Sequence, residues 1–303
     1  MTGRALITGI SGFTGRYVRE SLEALGYEVF GSSLTHCPDP YIFKADLCDL
    51  YSMRDLIETV MPDVVIHMGG VSNVACGNID VLYQTNILGS RNLLQALSES
   101  KMNVKAIMMV SSAYVYGNNN SDLLSEQSKI GPTNDYAVSK LAMENICSLW
   151  GTELPIFVVR PFNYTGFGQS GDFLLPKLIS HYAKKTKTIS LGNLDVFREY
   201  NDVRTVAEIY TKLIVSKPVG KTINVCSGEV YSLKSILQIM KQIAGYEIEV
   251  EVDAKFIRKS ETKILRGSNS LLQSLIGPIE FTVIEDTLRW MFQEAANENS
   301  SRN

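Results

Sequence analysis

The segment Thr8-Gly9-Ile10-Ser11-Gly12-Phe13-Thr14-Gly15 constrains this chain more than any other. It follows the apolar run Ala5-Leu6-Ile7. It precedes a stretch with Val18, Leu22 and Leu25 at helical spacing, closed by Gly26. A short buried strand, a glycine turn and an amphipathic helix make the opening of a βαβ unit. Glycines at Gly-x-x-Gly-x-x-Gly permit a tight turn and the close approach of backbone to a pyrophosphate. The helix start adds free N–H groups and the positive end of its dipole. Gly9, Gly12 and Gly15, with Ser11, Phe13 and Thr14 between them, therefore predict a dinucleotide-binding turn.

The rhythm continues down the chain. Glu28-Val29-Phe30, Tyr41-Ile42-Phe43, Val64-Val65-Ile66, Ala106 to Val110 and Ile156 to Val159 read as strands. Met53, Ile57 and Val60 mark a helix ended before Pro62. A long helix is expected from about Val81 to Ser100 and another from Asp135 to Trp150. The alternation predicts an α/β fold with a doubly wound parallel sheet of Rossmann type, whose ligands bind beyond the carboxyl ends of the strands. After Arg160 the rhythm loosens. Ser232 caps a helix with Leu233, Ile236, Met240 and Ile243, Glu247 to Val252 is strand-like, and a last helix carries Ile284, Leu288, Met291 and Phe292. These pieces predict a smaller mixed α/β C-terminal lobe. The dinucleotide-binding domain is expected over 1–164 with a returning segment at about 193–227, and the substrate lobe over 165–192 and 228–303.

Charge and cysteine usage exclude several function classes. With 29 Lys+Arg against 32 Asp+Glu the net charge is 29 − 32 = −3, which argues against a dedicated nucleic-acid binder. No apolar run reaches membrane-spanning length. Cys37, Cys48, Cys76, Cys147 and Cys226 lie far apart with no Cys-x-x-Cys pair, so neither a metal site nor a redox dithiol is expected. The reading is a soluble cytoplasmic protein with reduced thiols.

The end of the second strand bears on the cofactor. An acid there would hold the adenosine ribose hydroxyls. This chain has Gly31-Ser32-Ser33 instead. Without the acid nothing repels a 2′-phosphate, and Ser32 and Ser33 offer donors to one, so NADP is favoured over NAD. Asp46-Leu47, after the third strand, either faces the adenine or simply starts a loop.

The chemistry rests on Tyr136-Ala137-Val138-Ser139-Lys140. Residues four apart share a helix face, so phenol and ammonium can serve one site, and a neighbouring ammonium lowers a phenol's pKa of ~10. Of 14 tyrosines this is the only one with a lysine four residues later. Ser112, just after the strand ending at Val110, can hydrogen-bond the reacting oxygen. Ser112, Tyr136 and Lys140 are the candidate catalytic set for proton transfer at a carbonyl or alcohol.

Together these motifs resemble the extended short-chain dehydrogenase/reductase family of nucleotide-sugar enzymes. The resemblance also includes His67-Met68-Gly69-Gly70, Asn86 in Thr85-Asn86-Ile87-Leu88-Gly89, and Arg160 to Gln169. It extends to Arg198 to Val203, Asn224 to Gly228, and Arg258-Lys259-Ser260-Glu261. In this order the segments look most like GDP-4-keto-6-deoxy-D-mannose reductases. The resemblance implies NAD(P)H, with Met68, Gly69, Gly70, Asn86, Tyr136 and Lys140 completing the cofactor site. It implies a GDP-linked 4-keto-6-deoxy sugar met by Ser112, Ala113, Asn163, Lys177, Arg198, Arg258 and Glu261. Guanidinium groups suit a diphosphate; otherwise Arg198 and Arg258 are surface ion-pair residues and Asn163 a turn residue. His67, on an apolar strand, reads as a packed core histidine. Where the family often has Gly-Pro, this chain has Gly166-Phe167.

Missing groups narrow the chemistry. The related dehydratases need an acid beside the catalytic hydroxyl residue, and here Ala113 and Tyr114 stand there. The related epimerase-reductases use a cysteine after the serine and a histidine in the later loop, and neither is present. What is left supports hydride transfer at one carbon plus one proton, giving GDP-D-rhamnose or its C4 epimer GDP-6-deoxy-D-talose. The alternatives are a nucleotide-sugar 4-epimerase with retained NAD and a non-enzymatic dinucleotide sensor on the same fold. By family analogy the chain is expected to form a homodimer through the helices at 81–100 and 135–150.

Overall fold

Strands that are apolar without alternation must be covered on both faces. The computed structural model describes residues 2–72, 78–119, 121–253, 255 and 262–301. Seven strands form one sheet: β1 (Gly3–Thr8), β2 (Tyr27–Ser33), β3 (Ile42–Lys44), β4 (Val64–His67), β5 (Ala106–Val110), β6 (Ile156–Pro161) and β7 (Thr222–Val225). Their order is β7-β6-β5-β4-β1-β2-β3, and every pairing is parallel. The chain runs outward from β1 to β3 and then returns to the other side of β1 as β4. This reversal opens a crevice at the carboxyl ends of β1 and β4.

Alternate residues of each strand enter two cores. Ala5, Ile7, Val64, Ile66 and Met108 pack with α1 (Phe13–Ala24), α7 (Val203–Ser216) and Leu272 of α9 (Ser270–Ile276). Leu6, Val65, Ile107 and Met109 pack on the opposite face with α2 (Leu50–Val60), α4 (Ser90–Ser100) and α5 (Asp135–Leu149). A third core joins α6 (Leu174–Ala183), α8 (Leu233–Ala244) and α10 (Ile284–Ser301) with the parallel pair Thr188–Leu191 and Glu249–Val252. Two short pairings link this lobe to the sheet's carboxyl edge. Asn201–Asp202 runs beside Tyr164–Thr165, and Phe197–Arg198 lies between Tyr231–Ser232 and Ile264–Leu265.

Three details differ from the sequence reading. Leu25 is 48% exposed, because α1 ends at Ala24 and Gly26, at φ +81°, turns the chain into β2. The expected helix over 81–100 is broken into α3 (Ile79–Tyr83), a π-helical turn over Gln84–Gly89, and α4. The third is α7, which the sequence reading passed over although Val203, Val206, Ala207, Tyr210, Leu213 and Ile214 are buried at spacings of three and four, with Arg204 and Glu208 exposed between them. No helix among the described residues is long and apolar enough to cross a membrane.

Candidate active site

The glycine turn is shaped by contacts that leave no room for side chains. Gly9 has φ +73°, and a Cβ on it would stand 2.8 Å from the Gly69 Cα at the end of β4. A Cβ on Gly15 would lie 2.2 Å from the Ile10 carbonyl oxygen. The turn therefore presses the start of α1 onto the β1–β4 crevice. Gly12 caps α1 without a side-chain hydrogen bond, and no acid occupies the first turn. The N–H groups and dipole of the helix are left for an anion, and the cradle fits a dinucleotide pyrophosphate. At the end of β2, Ser32 and Ser33 are buried, and Ser33 Oγ accepts from Ser11 Oγ at 3.4 Å and from the Thr35 N–H at 3.3 Å. Asp46 is exposed and its carboxylate accepts from the Cys48 N–H at 2.8 Å, an Asx turn. Leu47 is buried and its carbonyl accepts from Asn92.

A chain of buried hydrogen bonds runs from this turn toward α5. Ser90 donates to the Asn86 carbonyl at 2.7 Å, and so accepts from His67 Nε2–H at 2.8 Å. Nδ1 of the neutral ring then accepts from the Thr8 hydroxyl at 2.7 Å, whose oxygen accepts from the Gly69 N–H at 3.0 Å. His67 is a buried, neutral core histidine with its pKa pushed down to about 3 by desolvation and, secondarily, by Lys140. The π-helical turn aims the Asn86 side chain inward, where it bonds both backbone groups of Val71 and donates to Ser139 Oγ at 3.0 Å. Ser139 in turn donates to the Tyr136 carbonyl.

Ser112, Tyr136 and Lys140 meet at the carboxyl end of β5. Ser112 caps the 3-10 turn Ala113–Tyr116, with Oγ accepting from the Tyr114 N–H at 3.2 Å. Asn134 caps α5, which starts one residue before Tyr136. Lys140 Nζ donates to the Val110 carbonyl at 2.9 Å, and burial lowers its pKa to about 8. Tyr136 departs from expectation: its phenol pKa is raised, not lowered. Desolvation is the largest cause and Tyr164 adds to it, while hydrogen bonding toward Ser112 acts the other way. Burial of the ring decides the direction. The Tyr114 ring stands edge-on to Tyr136, centroids 6.5 Å apart.

The expected sugar-nucleotide residues are distributed along the carboxyl edge. Asn163 follows β6 and its carbonyl accepts from the Asn201 N–H. Arg198 is buried and donates to the Phe197 carbonyl at 2.8 Å. Lys177, on α6, donates to the Ser190 carbonyl at 2.8 Å. Ala113 is buried in an apolar cluster with Val115, Phe162 and Leu265. Arg258 and Glu261 lie outside the described residues. Sequence reasoning passed over Tyr164, whose hydroxyl bonds Thr14 Oγ1 at 2.9 Å and whose ring stacks on Phe13. Its place one residue after Asn163 was the available signal. It also passed over Glu199, a buried carboxylate that accepts from the N–H groups of Gly267 at 2.7 Å and Ser227 at 2.9 Å.

A glycine turn at the switch point of a parallel sheet, with a Tyr–Lys pair beside it, defines a nicotinamide-dinucleotide oxidoreductase of Rossmann type. The model of the NAD dependent epimerase/dehydratase family matches residues 5–226. The chain belongs to that family and is an NAD(P)-dependent enzyme of the extended short-chain dehydrogenase/reductase group. It is 32% identical to the GDP-6-deoxy-D-talose 4-dehydrogenase of Aggregatibacter actinomycetemcomitans, over 96% of this chain and 97% of that protein. It is 32% identical to the GDP-6-deoxy-D-mannose reductase of Pseudomonas aeruginosa, over 95% of this chain and 96% of that one. The structure of RMD from Pseudomonas aeruginosa complexed with NADPH superposes with TM-score 0.86 at 30% identity, over 98% of this chain and 99% of that one. A Burkholderia cenocepacia J2315 protein described provisionally as an epimerase superposes at TM-score 0.92 with 44% identity, over 97% of this chain and 98% of that one.

Proposed function

We propose that this enzyme reduces the C4 ketone of GDP-4-keto-6-deoxy-D-mannose, giving GDP-D-rhamnose or its C4 epimer GDP-6-deoxy-D-talose. The observation that carries the reading is a Ser112–Tyr136–Lys140 site with Ala113 and Tyr114 where an acid would be needed to expel water. The 32% identity to the two GDP-6-deoxyhexose enzymes supports the substrate class. Reduction of a ketone requires a hydride at carbon and a proton at oxygen. The nicotinamide cofactor, when bound, supplies the hydride. Tyr136 donates the proton to the C4 oxygen, and its raised pKa keeps the phenol protonated until then. Ser112 hydrogen-bonds the same oxygen and holds it at the phenol. Lys140 places positive charge where the phenol becomes phenolate. Gly9, Gly12 and Gly15 seat the diphosphate of the cofactor. Asn163, Arg198, Lys177, Arg258 and Glu261 receive the GDP portion.

NADP is the favoured cofactor. The hydroxyls of Ser11, Ser33 and Thr35 gather at the end of β2, and Gly31-Ser32-Ser33 brings no carboxylate to repel a 2′-phosphate. A homodimer through α4 and α5 is part of the same reading, supported by exposed Val138 and Leu149. The likeness to the provisional epimerase favours a second reading, a 4-epimerase with retained NAD.

One experiment separates the two. The purified protein is mixed with GDP-4-keto-6-deoxy-D-mannose and NADPH or NADH, loss of the reduced nicotinamide is followed, and the product is identified by NMR. Stoichiometric consumption with a 6-deoxyhexose product supports the reductase, and the C4 configuration names it. No consumption, with nicotinamide carried through purification, supports the epimerase.

A further inference from the structure

A buried ion pair lies under the catalytic helix, in a region that no part of the proposed chemistry uses. Glu144 is four residues beyond Lys140 and eight beyond Tyr136 on α5, so the three side chains share one stripe of the helix. Its carboxylate meets Arg160 of β6 through two hydrogen bonds, Nε to Oε1 at 2.9 Å and Nη2 to Oε2 at 2.6 Å. The two side chains are only 9% and 8% exposed. Ser111, the residue before Ser112, donates to Glu144 Oε1. Arg160 also donates through Nη1 to Tyr116 Oη at 3.0 Å, and its guanidinium lies over that ring. Tyr116 closes the 3-10 turn that Ser112 opens, and donates to Asn224 Oδ1 at the end of β7.

A buried ion pair is weak evidence of stabilisation, because desolvation offsets much of the attraction. Its place in the fold is more telling. Through Glu144 the helix bearing Tyr136 and Lys140 is tied to the strand end bearing Ser112, and through Arg160 both are tied to the 3-10 turn. We infer that Glu144 and Arg160 are positioning residues for the oxidoreductase site: the pair fixes Ser112 relative to Tyr136 and Lys140, and Glu144 is the anion that faces the Lys140 ammonium. The inference rests on the proposed roles of Ser112, Tyr136 and Lys140.

The other titratable groups that act on Lys140 or that it acts on are Cys147 of α5 and His67 of β4. Both are uncharged near neutrality: the thiol is pushed up to about 12, and the imidazole is held down at about 3. Among the described residues, Glu144 is therefore the one charged group that acts on Lys140.

The test titrates Lys140 directly, by NMR of isotope-labelled lysine, with the signal assigned by its loss in Lys140→Met. Glu144→Gln keeps the shape and removes the charge. The Lys140 midpoint is expected to fall by about 1 pH unit, and the alkaline limb of the rate profile to move with it, kcat dropping more than KM rises. Arg160→Met leaves the carboxylate unneutralised and is expected to move the midpoint upward. Glu144→Asp retains the charge and is expected to leave the midpoint near that of the wild type, which keeps the test available if Arg160→Met does not fold. Equal midpoints in wild type and Glu144→Gln, with only melting temperature lowered, would overturn the inference. The titration needs no substrate, so failure of every nucleotide-sugar to turn over would count against the proposed function alone.

Discussion

Lys140→Met should change stability in a way that depends on pH and reports the burial of the ammonium. In the folded protein the Lys140 pKa is about 8, against an ordinary value of 10.5. Below about pH 8 folded and unfolded chains both hold the proton, and the wild type carries the full penalty of a buried charge. Between the two values the unfolded chain binds more protons than the folded one, so wild-type stability rises with pH. Integrated over the interval, the gain is about 3 kcal/mol. The variant loses the bond to the Val110 carbonyl at every pH, a constant term that drops out of the comparison. Urea denaturation of both proteins at about pH 7 and about pH 10 supplies the two differences. The wild type should gain on the variant by about 3 kcal/mol as pH rises. A difference that stays constant with pH, or that shrinks in the opposite direction, would refute the argument that burial lowers this lysine.

Further outcomes are expected elsewhere. Tyr136→Phe removes the proton donor and should lower kcat by roughly 10²–10⁴-fold in the NADPH-consumption assay, with secondary structure unchanged by circular dichroism. Gly15→Ala puts a methyl group 2.2 Å from the Ile10 carbonyl oxygen, so the turn must open, and NADPH affinity should weaken before any loss of secondary structure by circular dichroism. Glu199→Leu strands the N–H groups of Gly267, Ser227 and Gly228, and should destabilise the protein by about 3 kcal/mol in a denaturant titration.

What could be read in advance was local. Gly9, Gly12 and Gly15 act within one strand–turn–helix unit, and Tyr136 and Lys140 within one helical turn, so spacing along the chain stands for spacing in the fold. The strands β1, β4 and β5 are apolar through their middles because both faces of the sheet are covered, and that too is written residue by residue. The helix α7 carries the same kind of signal, with Val203, Val206, Ala207, Tyr210, Leu213 and Ile214 at spacings of three and four, and was legible too.

The electrostatic state of the site was decided by tertiary structure. The phenol of Tyr136 is raised by burial and by Tyr164, 28 residues away, so the pairing with Lys140 did not fix its pKa. The bonds from Thr8 to His67, from Thr14 to Tyr164 and from Glu144 to Arg160 span 59, 150 and 16 residues. No periodicity records such partners, because a hydrogen bond or ion pair depends on which side chains the topology brings within about 3 Å. The sequence by itself determined the class of fold and the chemistry on offer. Only the folded chain decided which charges are buried, which partners neutralise them, and so which protonation states the site holds.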